Sequence, residues 1–428
     1  MRSHIILLLT ALALPQMAFT QTANPVTLQQ CFDWAAGAYP LNDRPQMLEQ
    51  AAQLRSAQIK SDRLPQLEAR IQAGWQTEVP DFPFELPPPI GDPLDLPLYR
   101  AQATVQASWL VYDGGLAKAR LAQEQSNLAA EQQGIVVEMN KLKEIVNQYF
   151  FGILLLQGKQ RVLATSLQNL TAQKDRIDVG IRNGVVLPSA ADQMEVEMLK
   201  IQAQITETGL TEKGLRQQLA DLTGRQEEEF RLLELPQFEE TTYPLPLNRP
   251  EFTAIELQKV SVDQRNELLS ASRRPKLSAF ATGGIGYPNP LNLFDESLAP
   301  FAQVGLQAQW TIYDWGKLKR DRELLGVQQL ILDNQATVLE TNLNRADAAF
   351  LQQMESLLQL MESDRQIAEL QARLLKTLAL QLEQGVATPT DYLLQSNAET
   401  LARLQLKAHE IQLAQTRAGY WVHRGSIE

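Results

Sequence analysis

One cysteine in 428 residues excludes a disulfide framework within the chain. The residues before Cys31, Gln29 and Gln30, are not the small residues of a lipid-attachment site, so a free, buried thiol is expected. Histidine is almost as scarce. Of the three, His4 lies in the N-terminal segment, and His409 and His423 are fourteen residues apart, about 21 Å along a helix and too far to act together. No HExxH, CxxC, GxSxG or phosphate-binding loop occurs, so no catalytic, metal or cofactor site is expected. A net charge of −11 with no offsetting basic cluster argues against a nucleic-acid partner. Aromatic residues are only 7% of a chain that is 44% apolar, and Ala, Leu and Gln fill the difference. That balance favours long helices packed side by side over one thick core. Long hydrophobic runs are missing too. The apolar run IILLLTALAL (Ile5 to Leu14) is too short for a bilayer, which needs about 20 residues. Preceded by Arg2 and followed by Ala18 and Thr20, it reads as a secretory signal over residues 1–20, leaving an exported chain without a helical anchor.

Proline is absent from two equal stretches, and these expose an internal duplication. Trp109, Tyr112, Asp113 and Gly115 recur 201 residues later as Trp310, Tyr313, Asp314 and Gly316. Gly184, Val185 and Pro188 recur at the same offset as Gly385, Val386 and Pro389. Each copy thus separates a Tyr-Asp turn from a Gly-Val-x-x-Pro turn by 69 proline-free residues (Gly115 to Gly184, Gly316 to Gly385). As helix, each interval is a rod of roughly 100 Å. In copy one, Leu121, Leu128, Ile135, Leu142, Tyr149, Leu156, Leu163, Leu170 and Ile177 keep a strict seven-residue beat, the mark of a supercoiled seam. Copy two keeps its middle as Leu343, Phe350 and Leu357.

Before each rod lie two segments that alternate apolar and polar residues. Leu67, Ala69, Ile71, Ala73 and Trp75 form one apolar face, and Ala101 to Val111 form another. Leu277, Ala279, Ala281 and Ile285 repeat the first, and Ala302 to Ile312 the second. A period of two means strands, and about ten residues with aromatics near the ends matches membrane-barrel strands. Four strands cannot close a barrel, and bare sheet edges are not tolerated in lipid. The chain must therefore associate, and three copies would give twelve strands around an open lumen. An exported coiled-coil scaffold or adhesin would share the heptads but has no use for such strands.

These patterns predict a mainly α chain with membrane β-strands, internally duplicated. The first repeat covers residues 21–224, with strands at 67–77 and 100–112, a long helix at 114–180 and a tip at 183–189. An equatorial linker covers 225–247. The second repeat covers 248–428, with strands at 276–287 and 301–313, a long helix at 315–382 and a tip at 384–391. Shorter helices open each copy, from Arg44-Pro45 to Leu64-Pro65 and from Arg249-Pro250 to Arg274-Pro275, and others return from the tips. A proline-rich connection at 79–99 joins the first strand pair and suits an exposed end. Asp113 and Asp314 are placed to cap the rods as N-caps within the turns Tyr112-Asp113-x-Gly115 and Tyr313-Asp314-x-Gly316. At the tips, Asn183 and Gly184 with Val185, and Gly385 with Val386, suit helix-ending positions, while Pro188 and Pro389 stop the rod continuing. Asp391 and Asp192 follow the tips and are candidates for lining an entrance.

The duplication, the strand entries Arg63-Leu64-Pro65 and Arg273-Arg274-Pro275, the Tyr-Asp-x-Gly turns, the Gly-Val tips and the ending Leu219 to Gly224 together resemble the TolC family of outer-membrane efflux and secretion channels. That resemblance covers essentially the whole mature chain. It implies a homotrimer with a twelve-stranded β-barrel in outer-membrane lipid and an α-helical tunnel through the periplasm. It implies docking of the tips onto a periplasmic adaptor and an inner-membrane pump of the RND or ABC type, with no cofactor and no catalysis. It also implies an aspartate ring at the periplasmic entrance six residues after the copy-two tip glycine, which is Asp391. This chain departs from the family pattern there: Leu394 stands where a second acid would be and Ala387 where a locking arginine would be. Ala190 stands at the copy-one counterpart of Asp391, with Asp192 displaced by two. A single-ring, loosely locked gate is the expectation.

Overall fold

The structure, a computed structural model, describes residues 25–78, 97–238, 243–292 and 295–426. The expected secretory signal and most of the proline-rich connection, residues 79–96, lie outside the described residues. The chain divides into two compact units, each drawing on both sequence copies.

Residues 39–144, 241–354 and 417–428 make the unit that carries the sheet. Helix α2 (Arg44–Ser61), with proline in its first turn, leads to β1 (Gln66–Trp75), β2 (Tyr99–Tyr112) and the start of α3 (Leu116–Arg182). In the second copy α5 (Pro250–Ser272) leads to β3 (Lys276–Tyr287), β4 (Ala299–Gln309) and the start of α6 (Lys317–Glu383). The four strands form one antiparallel sheet in the order β1-β2-β3-β4. Gln66 pairs with Ser108, Trp109 with Ala279 and Lys276 with Gln309. The apolar face is most exposed on the two edge strands, with Ile71 of β1 86% and Val304 of β4 80% exposed, and half-buried over much of β3. β4 ends at Gln309, four residues short of the strand expected over 301–313. The reason is lateral support. In copy one, residues 109–112 of β2 are paired by β3, whereas β4 is an edge strand and residues 310–313 face no neighbouring strand among the described residues.

The other unit comprises residues 1–38, 145–240 and 355–416. It holds the later parts of α3 and α6 with α1 (Leu28–Ala38), α4 (Pro188–Thr223) and most of α7 (Pro389–Arg424). Its core joins Leu163, Leu170 and Ile177 of α3 to Met194 and Ile201 of α4 and to Tyr392 of α7. None of the nine heptad residues is exposed, and Ile135, Leu142, Leu163, Leu170 and Ile177 are buried. Through the middle, however, burial moves off the beat. Tyr149 and Leu156 are half-buried, while Val146, Phe150 and Ile153 are completely covered. A straight helix drifts against a seven-residue repeat, so the covered face shifts residue by residue where another element replaces the seam.

That other packing includes a helix the sequence patterns did not announce. Leu28, Cys31, Phe32 and Ala35 form the buried face of α1, and burial pushes the Cys31 thiol up to about 12. The segment expected as a bare linker is also pinned. Glu227–Arg231 forms a short 3-10 turn whose Phe230 is fully buried, with its ring edge-on to Trp34 at 6.2 Å. Val26 bridges it in parallel, donating to the Leu232 carbonyl at 2.9 Å and accepting from the Glu234 amide at 3.0 Å.

Candidate functional site: the helix tips and the strand-to-helix turns

Both tips end in the same local geometry because both glycines adopt a left-handed backbone, with φ of 76° at Gly184 and 74° at Gly385. Val185 donates to the Gly180 carbonyl and Gly184 to Ile181. Val386 donates to Gln381 and Gly385 to Leu382. This is the Schellman arrangement, and it satisfies carbonyls that the end of each rod would leave bare. The second side chain after the turn differs between copies. A Cβ on Gly180 would lie 2.8 Å from Val186 Cγ2. Copy two exchanges the volumes, with Gln381 and Ala387 at the same places. Val185 and Val386 project outward, 77% and 73% exposed.

Between the two tips of this unit lies an open cleft of about 670 Å³, lined by Ile177, Gly180 and Val186 of one tip and Leu382 of the other. Arg176 and Glu383 form an ion pair across it. Neither residue stood out in the sequence, since single charges near a helix end carry no distinctive spacing.

The two candidate entrance acids have different surroundings. Asp192 is exposed and makes no hydrogen bond or ion pair among the described residues. Asp391 is exposed but engaged: Oδ2 accepts from the Thr388 amide at 3.0 Å and from its hydroxyl at 2.6 Å, while the Asp391 amide donates to Thr388 Oγ1 at 3.2 Å. Thr388 and Asp391 thus form a reciprocal capping box at the start of α7. The Thr388 hydroxyl and amide bonds hold the Asp391 carboxyl below the usual carboxylate range. The sequence carries this box as Thr388-Pro389-Thr390-Asp391. Copy one has no equivalent, because Leu187 occupies the N-cap of α4 and provides no side-chain bond. The two helix starts meet through Thr390, whose hydroxyl donates to Gln193 Oε1 at 3.2 Å.

In the sheet unit the two turns match closely. Asp113 Oδ1 accepts from the Gly115 amide at 2.9 Å and Oδ2 from Ala117 at 2.8 Å. Asp314 does the same with Gly316 at 3.0 Å and Leu318 at 2.8 Å. Neither is the N-cap residue itself, a correction to the sequence reading: each stands two residues earlier and reaches forward. Arg273 adds an ion pair to Asp314. Gly115 and Gly316 have φ of 85° and 75°. Between aspartate and glycine the copies differ, with Gly114 in one and Trp315 in the other at φ 57°, a costly backbone for tryptophan.

Burial works against ionisation of Asp113, but the amides of Ala117 and Gly115 and the charge of Arg63 outweigh it, and its carboxyl is held below the usual range. A depressed pKa means stability that is present above about pH 4 and lost as pH falls through the lower, folded value. Asp113→Asn is expected to flatten this acid-side loss in a pH series of thermal midpoints. Asp113→Ala removes both bonds and costs about 1 kcal/mol at every pH above it.

No protein-family model matches the sequence, and no curated protein matches it significantly. Solved structures do match. The outer membrane protein VceC from Vibrio cholerae aligns over 93% of this chain and 96% of its own, with a TM-score of 0.66 and 16% identity. The CmeC outer membrane channel of Campylobacter jejuni aligns over 93% and 85%, at 0.64 and 12%. The open state of the MtrE outer membrane channel of Neisseria gonorrhoeae aligns over 93% and 88%, at 0.65 and 15%. The chain has the TolC-like fold. Within this chain the strand-to-helix turns lead from β2 into α3 and from β4 toward α6, and the glycine turns at 184 and 385 end those two rods.

Proposed function

We propose that the protein is the outer-membrane exit duct of a tripartite efflux or type I secretion system. Three copies join four strands each into a twelve-stranded barrel in outer-membrane lipid, with the rods forming a tunnel in the periplasm. It conducts small molecules or proteins passively, and a periplasmic adaptor docked at the tips couples it to an inner-membrane pump. The observation that carries this reading is the open four-stranded sheet. Its apolar face is exposed, and both its edges lack partners among the described residues. Such a sheet is unstable in lipid unless closed. Apolar side chains of α6 add to it: Leu324, Ile331 and Val338 recur every seven residues and are exposed, as do Leu360, Ile367 and Leu374. A second copy covering them accounts for a stripe that solvent would not favour.

The duct reading predicts a trimer in outer-membrane fractions whose migration shifts on heating, and single-channel conductance in planar bilayers. A chain found only in the soluble periplasm would instead support an exported scaffold. For the gate, Asp391 is proposed as the single ring. Its Oδ2 is held by Thr388, which orients the carboxylate and keeps it charged. Asp391→Asn is expected to lower cation selectivity and relieve block by divalent cations. Unchanged selectivity and block would place the ring elsewhere, with Asp192→Asn the next variant.

A further inference from the structure

The end of the sheet away from the rods holds a cavity of about 410 Å³ within the sheet-bearing unit. Gln72, Gln76, Arg100 and Gln102 line it from the first hairpin, and Pro290 lines it from the connection after β3. Resting on the duct reading above, which makes this end the outer mouth, we infer that the cavity is an oxyanion site. Arg100, with the carboxamides of Gln72, Gln76 and Gln102, takes the carboxylate or phosphate group of a small organic solute in the lumen.

Strand register puts Gln72, Arg100 and Gln102 on the polar face. Gly74 pairs with Arg100 and Gln72 with Gln102, while the pair between them, Ala73 with Ala101, belongs to the apolar face. Gln102 also pairs with Gly286 of β3. A Cβ on Gly286 would overlap the Pro290 ring and lie 3.5 Å from Gln102 Cβ, so Pro290 sits over the polar face. Only a bare backbone at Gly286 lets the connection seat there. The pair Trp75–Tyr99 lies on the opposite, apolar face, so a lipid headgroup at that rim is across the sheet from Arg100.

The cavity is rich in donors and lacks a counter-charge. No carboxylate lines it. Arg100 makes no ion pair or hydrogen bond among the described residues, whereas Arg70 on the same face lies 3.8 Å from Glu68. Asp295 of the covering connection is already engaged, accepting from Asn289 Nδ2 at 2.8 Å and from the Ser297 amide at 3.1 Å. Gln76 Nε2 is covered and has no acceptor among the described residues. A buried donor in that state costs free energy until an acceptor arrives. A guanidinium offers a rigid fork of donors that matches carboxylate and phosphate oxygens, and the carboxamides add further donors around it.

The duplication supplies an internal control. A shift of 201 for β2, and of 210 for β1 (Pro65 to Pro275), carries Gly74–Arg100 onto Gly284–Phe301 and Gln72–Gln102 onto Thr282–Gln303. Both second-copy pairs are observed, so the two hairpins share this register. Gly74 and Gln102 keep their residue types in the second copy. Gln72, Gln76 and Arg100 become Thr282, Gly286 and Phe301, which removes the charge and two carboxamides. The second hairpin forms the same pairing without those three groups, so building the wall does not require them. The site occurs once per chain.

Binding of citrate and of inorganic phosphate to the detergent-solubilised full chain, read by titration calorimetry, tests the site. Citrate should bind and its neutral trimethyl ester should not. Arg100→Gln should raise the citrate Kd about tenfold or more. Arg100→Lys, which keeps the charge and loses the fork, should fall between the two. Arg70→Gln removes a cation that is already paired and should bind citrate as the parent does. Absence of citrate and phosphate binding by the parent, or an unchanged Kd in Arg100→Gln, would overturn the proposal. So would Arg100-dependent binding of phosphorylated glycolipid micelles without citrate binding, because the occupant would then be a membrane lipid. The measurement needs no channel. A chain that binds citrate through Arg100 but passes no current in planar bilayers keeps the site and loses the duct reading.

Discussion

Arg424→Ala is expected to destabilise the sheet-bearing unit by about 3–5 kcal/mol, the cost of orphaning a buried charge partner. Arg424 lies at the end of α7 and is 8% exposed. Its Nη1 donates to Asp347 Oδ2 at 2.6 Å, and its Nε donates to the Leu245 carbonyl at 2.8 Å. Asp347, on α6, is equally buried. His423 does not replace the lost partner. Its Nε2 lies 3.2 Å from both Asp347 Oδ1 and the Leu343 carbonyl, and one proton serves only one of them. Truncation therefore leaves a carboxylate and a carbonyl without their donor in a poorly solvated place. For a unit of 150–250 residues this is a fall in thermal midpoint of roughly 10 °C. A midpoint within a degree or two of the parent would show that water reaches the site. The double variant Arg424→Met with Asp347→Leu separates breaking a pair from lacking one. It should recover most of the loss, because the pair itself contributes little net stability once desolvation is counted.

The same corner explains how the second copy is closed off. The Asn248 amide donates to the Arg424 carbonyl at 2.8 Å, Arg249 reaches the His423 carbonyl at 3.3 Å, and Ser426 reaches Pro246 at 3.2 Å. Tyr420, fully covered, packs edge-on against Tyr243 at 5.4 Å and Phe350 at 5.9 Å. Residues just before the second copy thus hold the end of the chain. None of these contacts has a period or a motif, and that marks the limit of what pattern reading reveals.

Where the physics is local and repeats, the sequence was legible. The heptad beat from Leu121 to Ile177 reports a buried seam, because burial at fixed angular spacing needs apolar residues at that spacing. The tip glycines and turn aspartates were legible because left-handed backbone and bare helix ends admit few residue types. Two kinds of feature escaped. One depends on distant partners: the end of β4 is set by which strand lies beside it, and the repeat predicts residues, not neighbours. The other is hidden by a stronger pattern. Thr388 and Asp391 form a capping box, but the proline between them and the resemblance of Asp391 to a gate residue directed the reading toward the entrance. The helix α1 was missed because eleven residues hold too few turns for a period to stand out, and its partner lay in a segment read as a linker.

That segment carries the second large effect. Phe230→Ala is expected to cost the helical unit about 3–5 kcal/mol, the range for truncating a fully buried phenylalanine. Phe230 has no exposed surface, and its ring meets Trp34 of α1 edge-on at 70°. The other side of the contact is charged: the Arg225 guanidinium sits 4.5 Å from the Trp34 ring centroid. Removing the phenyl group opens a cavity and leaves Arg225 as the remaining contact on the Trp34 ring described above, worth about 1 kcal/mol or less where exposed. The bridge between Val26 and Leu232–Glu234 follows Phe230 directly, so losing the anchor also frees the pairing that ties the described start of the chain to the linker. The effect should be regional. Amide exchange should accelerate at Val26, Leu232 and Glu234 and along Leu28–Ala38, while strands β1 to β4 in the other unit keep their protection. Phe230→Leu, which retains most of the apolar volume, should restore slow exchange at Val26. If Phe230→Ala leaves these amides as protected as in the parent, Arg225 and the backbone bridge hold the linker without the ring, and the segment acts as a simple connector.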